Sequence, residues 1–364
     1  MKAFALEAPG RASWYNAPKP ELVPYGAILR PIMVAPCTSD VHTVYGGGSP
    51  KSSHLILGHE CIAQILEVGE YVNDFRNGEI VAVPAITPDW RALSIQEGNY
   101  KHAGVPFSGH QLGRTQPGVF AEQFLVKDAD TTLAKIPVGI SLEQALMCVD
   151  AVTTGFTGAE NANIKFGDRV CVIGIGPIGL MAVKGASLLG ASEIYAVGSR
   201  SICMDRAKLF GASKVLNYKD GNIVERVKNL TEGIGVDATI ICGGNDNTFA
   251  QAVDMTRYGI GTISNVNYFG GSGNLPFPKF SGGRGMGGKT LHTELANGGR
   301  VRIERLMRMV KCGRVDPSPL ITHRLYGMDS IELALNMMRY KTDNLIKVVI
   351  KIDWDNEELW KYGE

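Results

Sequence analysis

The 364-residue chain carries 37 Lys and Arg against 36 Asp and Glu, a formal net charge of +1. That balance gives no electrostatic ground to expect a nucleic-acid or anionic-membrane partner. With 45% hydrophobic and 20% charged residues the composition is that of an ordinary globular protein, long enough for two domains.

The N-terminus, Met1 to Leu6, meets Glu7, Pro9 and Gly10 before an apolar core of signal-peptide length forms. No apolar run is long enough to cross a bilayer, so a cytoplasmic protein is expected. The first half reads as short strands punctuated by Gly and Pro, for example over 27–34, 61–68 and 79–83, which predicts a β-rich domain. The stretch 93–118 is polar and weakly periodic. It predicts a long loop of the kind that carries function.

The pattern changes near Thr153. Strands over 169–173, 193–197, 215–218, 236–241 and 261–266 alternate with helices over 180–189, 202–210, 223–230 and 248–258. Such alternation marks a parallel sheet with helices on both faces. After Gly298-Gly299 it stops. Two helices, 301–312 and 330–340, and a final strand, 346–352, follow. That strand is expected to rejoin the first domain, giving divisions at 1–152, 153–296 and 297–364, with the middle, parallel-sheet domain as an insertion. The tail from Asp353 is acidic but holds Trp354, Leu359 and Trp360, and is expected to pack on the body or a neighbouring subunit.

Seven cysteines, at positions 37, 61, 148, 171, 203, 242 and 312, include no C-x-x-C pair. The odd count and wide spacing suit a reducing compartment and no disulfide framework. They also argue against a self-contained four-cysteine structural zinc site. Cys171 and Cys242 are expected to be buried.

Gly174-Ile175-Gly176-Pro177-Ile178-Gly179 leaves a predicted strand and enters a predicted helix. In that context the G-x-G-x-x-G pattern predicts a dinucleotide site, with the pyrophosphate at the helix N-terminus. Cofactor choice is read at the end of the next strand, where NAD binders place an acid. Here Gly198-Ser199-Arg200 stands instead. Arg200 can pair with a 2′-phosphate and Ser199 can hydrogen-bond it, so NADP is expected over NAD. Tyr218 could cover the adenine. The plainer alternative leaves Arg200 in the first turn of a surface helix.

Cys37, His59 and Asp150 supply thiolate, imidazole and carboxylate, a set that suits zinc and leaves a fourth position for water or substrate. Glu60, next to His59, could be an alternative ligand or a neighbouring base. Taken singly, Cys37 could be a buried turn residue and Asp150 the cap of a helix beginning near Val152.

Gly58-His59-Glu60, preceded by Cys37-Thr38-Ser39-Asp40-Val41-His42 and followed by the 174–179 glycine run, resembles the zinc-containing medium-chain dehydrogenase/reductases. Ala35 to Asp40, Val83 to Trp90, Asp150 before Thr153-Thr154-Gly155-Phe156, and Ala196 to Arg200 are most similar to the tetrameric NADP-dependent secondary alcohol dehydrogenases of anaerobic microbes. The resemblance implies a GroES-like β-rich catalytic domain plus a doubly wound parallel-sheet (Rossmann) nucleotide domain, assembled as a homotetramer. It implies one catalytic zinc on Cys37, His59 and Asp150 with Glu60 beside it, and a proton relay through Ser39 and His42. Gly198, Ser199, Arg200 and Tyr218 would hold the 2′-phosphate end. No structural zinc is implied, since no cysteine lies between Cys61 and Cys148.

The resemblance also places Ile86, His110 and Leu295 at the substrate pocket. His110 stands where that branch carries a Trp, Ala63 where Gly is usual, and Thr293-Glu294-Leu295-Ala296 where a Gly-rich run is usual. Arg257 to Gly261 is one residue longer. The expected reaction is hydride transfer between NADP(H) and an alcohol/ketone or aldehyde pair, chiefly secondary alcohols. The rivals are a zinc-free NADPH quinone or enone reductase and a non-catalytic nucleotide-binding protein.

Overall fold

Strand register brings the distant parts of the first unit together. In the computed structural model, residues 1–46, 54–271, 273–342 and 344–354 are described. The chain divides into two compact units, one of residues Met1–Thr153 with the segment from Asn297, the other Thr154–Ala296.

In the first unit, a seven-stranded sheet runs in the order Ile321–Tyr326, Lys347–Lys351, Ala27–Val34, Cys61–Val68, Ile80–Val83 and Ala134–Lys135, with Phe124–Val126 also paired to Ala27–Val34. The pairings are antiparallel except that of Ile321–Tyr326 with Lys347–Lys351. The final strand does return to this unit, where Ile350 faces Val34. A smaller sheet joins Arg11–Asn16, Lys2–Ala8 and Leu55–Ile56. Phe4, Leu29, Phe75, Phe120 and Phe124 fill the core between these strands. Trp354 packs against that core and donates from Nε1 to the Pro31 carbonyl at 2.6 Å. Leu359 and Trp360 lie outside the described residues.

The loop over 93–118 contains only a short 3₁₀ turn, Leu93–Glu97, and an isolated bridge between Leu112 and Gln116. Asp150 does not cap a helix. It sits inside a π-helical turn, Cys148–Val152, between the helices Leu142–Met147 and Thr153–Asn161. Such bulges re-aim side chains and recur at functional sites. The strand Ile321–Tyr326 and the helix Thr38–Tyr45 carry no periodic apolar pattern that announces them.

The second unit holds six parallel strands in the order Lys214–Leu216, Glu193–Val197, Arg169–Ile173, Ala238–Ile241, Thr262–Asn265 and Thr290–Thr293. Numbered along the chain this is the 3-2-1-4-5-6 order of dinucleotide folds. Cys171, Tyr195, Val227, Phe249 and Ile263 are among its core residues. Cys171 is buried as expected, but Cys242 is only half-buried.

Capping residues shift several boundaries. The first helix starts at Pro177, where a missing N–H costs nothing, and runs to Leu188. Asn245 and Thr248 form a capping box that starts the helix Asp246–Met255 earlier than the apolar pattern indicates. The third strand stops at Leu216, and Tyr218 opens a 3₁₀ turn capped by Asn217. Thr290–Thr293 is an exposed edge strand with one apolar residue, so composition did not reveal it.

Candidate active site and nucleotide cradle

The register of the central strands builds the metal-ligand cluster. Val34 pairs with Cys61, so Ala35-Pro36-Cys37 leaves one strand where His59-Glu60 enters its antiparallel neighbour. Gly58 makes the entry turn at φ +90°. A Cβ there would lie 2.4 Å from the Phe120 ring, so both the backbone and the space require glycine. Asp150 arrives from the π-helical turn. One ligand atom from each of Cys37, His59, Glu60 and Asp150 lies within 4.8 Å of all the others. Cys37 Sγ is 3.5 Å from Asp150 Oδ2.

Asp40 organises this cluster, a role the sequence reading did not assign. It is buried, and it accepts from the Cys37 amide at 2.8 Å and the Gly58 amide at 3.1 Å. Its Oδ1 also lies 3.4 Å from His59 Nδ1. The orienting contact on Nδ1 directs Nε2 toward the other donors. Burial raises the Asp40 carboxyl, but His59 and the two amides outweigh it and hold the group below its ordinary value. The His59 ring is opposed by burial, yet Asp40 and Cys37 hold it well above the usual imidazole range. Burial pushes Glu60 up to about 8 against the pull of Lys347, with Asp150 adding to the rise.

Lys347 was also missed by sequence. Its Nζ donates to Glu60 Oε1, and both side chains are buried. Glu60 Oε2 is buried with no hydrogen-bond partner. Thiolate, imidazole and carboxylates in one buried cluster, with an acceptor oxygen left over, fit a zinc ion.

Ser39 Oγ lies 3.2 Å from His59 Nε2. His42 follows on the same short helix at i+3, half-buried, and burial with help from Lys341 lowers its pKa. The His110 ring packs edge-on against His59, with centroids 4.7 Å apart. Its Nε2 is buried without a partner, and burial followed by the His59 charge pushes its pKa down to about 3. His110 therefore belongs to the cluster's wall. Ile86 is buried in the same unit, where a Cβ on Gly298 would lie 2.3 Å from it. Leu295, half-buried, belongs to the second unit.

In the second unit the glycine run forms a tight strand-to-helix turn. Gly174 has φ +88°, and a Cβ on it would meet the Gly243 backbone at 2.5 Å. A Cβ on Gly179 would lie 2.0 Å from the Gly174 carbonyl oxygen. Gly176 caps the helix, Pro177 takes its first position and Ile178 is half-buried in its first turn. Space over Gly176 is open, since no heavy atom stands within 4 Å of where its Cβ would be. A helix N-terminus with open space above it is suited to a pyrophosphate.

Gly198 ends the neighbouring strand, and its amide donates to Leu216. Ser199 Oγ donates to Tyr218 Oη at 3.0 Å. Arg200 is the N-cap of Ser201–Leu209 rather than a residue of its first turn. Gly198, Ser199, Arg200 and Tyr218 are thus brought to one end of the sheet, with no carboxylate among them.

Residues 177–291 match the zinc-binding dehydrogenase family and residues 24–138 the alcohol dehydrogenase GroES-like domain. The chain belongs to the zinc-binding alcohol dehydrogenase family. It is 50% identical to an NADP-dependent isopropanol dehydrogenase of Thermoanaerobacter brockii, over 96% of this chain and 99% of that one. The like-named protein of Entamoeba histolytica is 48% identical over 98% of each chain. Among solved structures, the alcohol dehydrogenase TADH from Thermus sp. ATN1 superposes with a TM-score of 0.83 at 28% identity, covering 97% of this chain and 100% of that one.

Proposed function

We propose that this chain is an NADP-dependent secondary-alcohol dehydrogenase that binds one catalytic zinc and interconverts alcohols with ketones or aldehydes. The observation that carries it is the buried cluster of Cys37, His59, Glu60 and Asp150 in a chain that also holds an acid-free dinucleotide cradle. Relatives named NADP-dependent isopropanol dehydrogenases support the cofactor and substrate class.

When bound, zinc supplies a Lewis acid for the substrate oxygen and NADP a hydride acceptor. Cys37, His59 and Asp150 hold the metal, and Asp40 keeps the His59 ring in register for it. Ser39 carries the alcohol proton on its hydroxyl. His42, whose lowered pKa leaves it neutral and able to accept, passes that proton toward solvent. The 174–179 turn holds the pyrophosphate, Ser199 and Arg200 the 2′-phosphate, and Tyr218 the adenine. Ile86 and His110 shape the first unit's side of the substrate site. The enzyme works as a homotetramer in the cytoplasm. Among the described residues no helix is long and apolar enough to cross a membrane.

A zinc-free enone reductase of the same fold has no use for four converging buried donors. Zinc stoichiometry together with 2-propanol oxidation by NADP and by NAD tests the proposal. A protein without zinc, or one indifferent to the 2′-phosphate, would overturn it.

A further inference from the structure

Lys347 is 2% exposed and Glu60 is 0% exposed. Lys and Glu are almost never so buried unless paired, and a buried ion pair is often no more stable than apolar packing of the same volume. The pair therefore calls for a reason beyond stability. Its position supplies one. Ile350 faces Val34 and Lys351 faces Met33, so the antiparallel register runs Lys347 toward Cys37.

Four protein donors converge here, whereas a catalytic zinc keeps one position open for substrate. Zinc held by all four would be closed, as in a structural site. Asp40, the remaining buried acid, is already engaged by two amides and His59. Glu60 itself is divided, with Oε1 on Lys347 and Oε2 unpartnered.

We propose that Lys347 is a positioning residue that competes with the metal for Glu60, drawing the carboxylate aside so that one position of the donor set stays available to substrate. This rests on the zinc reading above. With Lys347 neutralised, Glu60 has only the metal to satisfy it. The site then closes, holding zinc more firmly and turning over more slowly.

The test uses the full-length zinc-loaded protein and its Lys347→Met and Lys347→Arg variants. Zinc release to excess chelator is timed with a colorimetric dye, and the visible spectrum is taken after cobalt(II) replacement. Lys347→Met should release zinc roughly tenfold more slowly; loss of a ligand's partner ordinarily weakens metal binding on that scale, but here the lost partner competes with the metal, so the sign reverses. Its cobalt band should shift and its kcat should fall, while Lys347→Arg stays near wild type in all three. Release as fast as or faster than wild type, with an unshifted band, would overturn the inference. If the Met variant does not fold, Lys347→Gln is read by the same two outcomes. Wild-type protein that holds no zinc would overturn the zinc reading and this inference together, whereas zinc-replete wild type with unresponsive variants would overturn the inference alone.

Discussion

Removing the Arg200 guanidinium should convert cofactor preference into a measurable loss. Arg200 caps its helix at the sheet end that also carries Ser199 and Tyr218, with no acid in the strand-end turn. A hydrogen bond to a charged group is worth about 1.5–3 kcal/mol, which is about one to two decades in affinity. Arg200→Ala should therefore raise the Kd for NADPH by that factor and leave NADH almost unchanged. Cofactor fluorescence titration separates the two. Gly198→Asp should reverse the preference, because a carboxylate repels the 2′-phosphate and accepts from a 2′-hydroxyl. The structure adds a penalty that charge alone does not foresee. A Cβ on Gly198 would lie 2.3 Å from Ile175 Cγ1 and 2.8 Å from its Cδ1. Ile175 is buried and must shift, so overpacking should lower stability by about 1–3 kcal/mol. The reversal should thus appear together with a lower Tm. Equal loss of NADPH and NADH binding in Arg200→Ala would refute the assignment of Arg200 to the phosphate.

Cys37→Ser should lose zinc and 2-propanol turnover while NADPH still quenches and shifts as in wild type; full activity in a zinc-free variant would contradict the ligand set. His110→Trp should depress kcat/KM for a bulky alcohol more than for 2-propanol, because the indole fills space beside His59; equal effects would remove His110 from the pocket wall. Glu143 accepts from Arg324 at 2.8 and 2.7 Å, and these bonds, with Lys351 nearby, hold its carboxyl below the ordinary value against partial burial. Its stabilisation is present above the unfolded-state pKa and lost as pH falls through the lower folded-state pKa. Glu143→Gln should therefore lower Tm at neutral pH and converge on wild type in acid, and a constant difference at every pH would exclude the ion pair as the cause.

What could be read in the sequence was contiguous. The strand over 169–173, its glycine turn and the following helix lie within one short segment, so local pattern and turn chemistry reveal the cradle without knowledge of the fold. The same holds for Gly198-Ser199-Arg200, whose meaning depends only on following the next strand. Cys37, His59, Glu60 and Asp150 were readable as suitable donors, but their meeting was not. It depends on the pairing of Val34 with Cys61 and on the π-helical turn at Asp150, and neither leaves a local trace. Asp40 stood in the sequence only as one residue of the motif around Cys37, yet it accepts from two amides and lies against His59. Lys347 begins a strand 287 residues from Glu60, and no periodicity predicts a lysine in a core. Local sequence encodes backbone conformation and burial pattern. Which buried groups face one another is set by long-range strand register, so the donors could be listed from sequence while the partners that tune them came only from the tertiary structure.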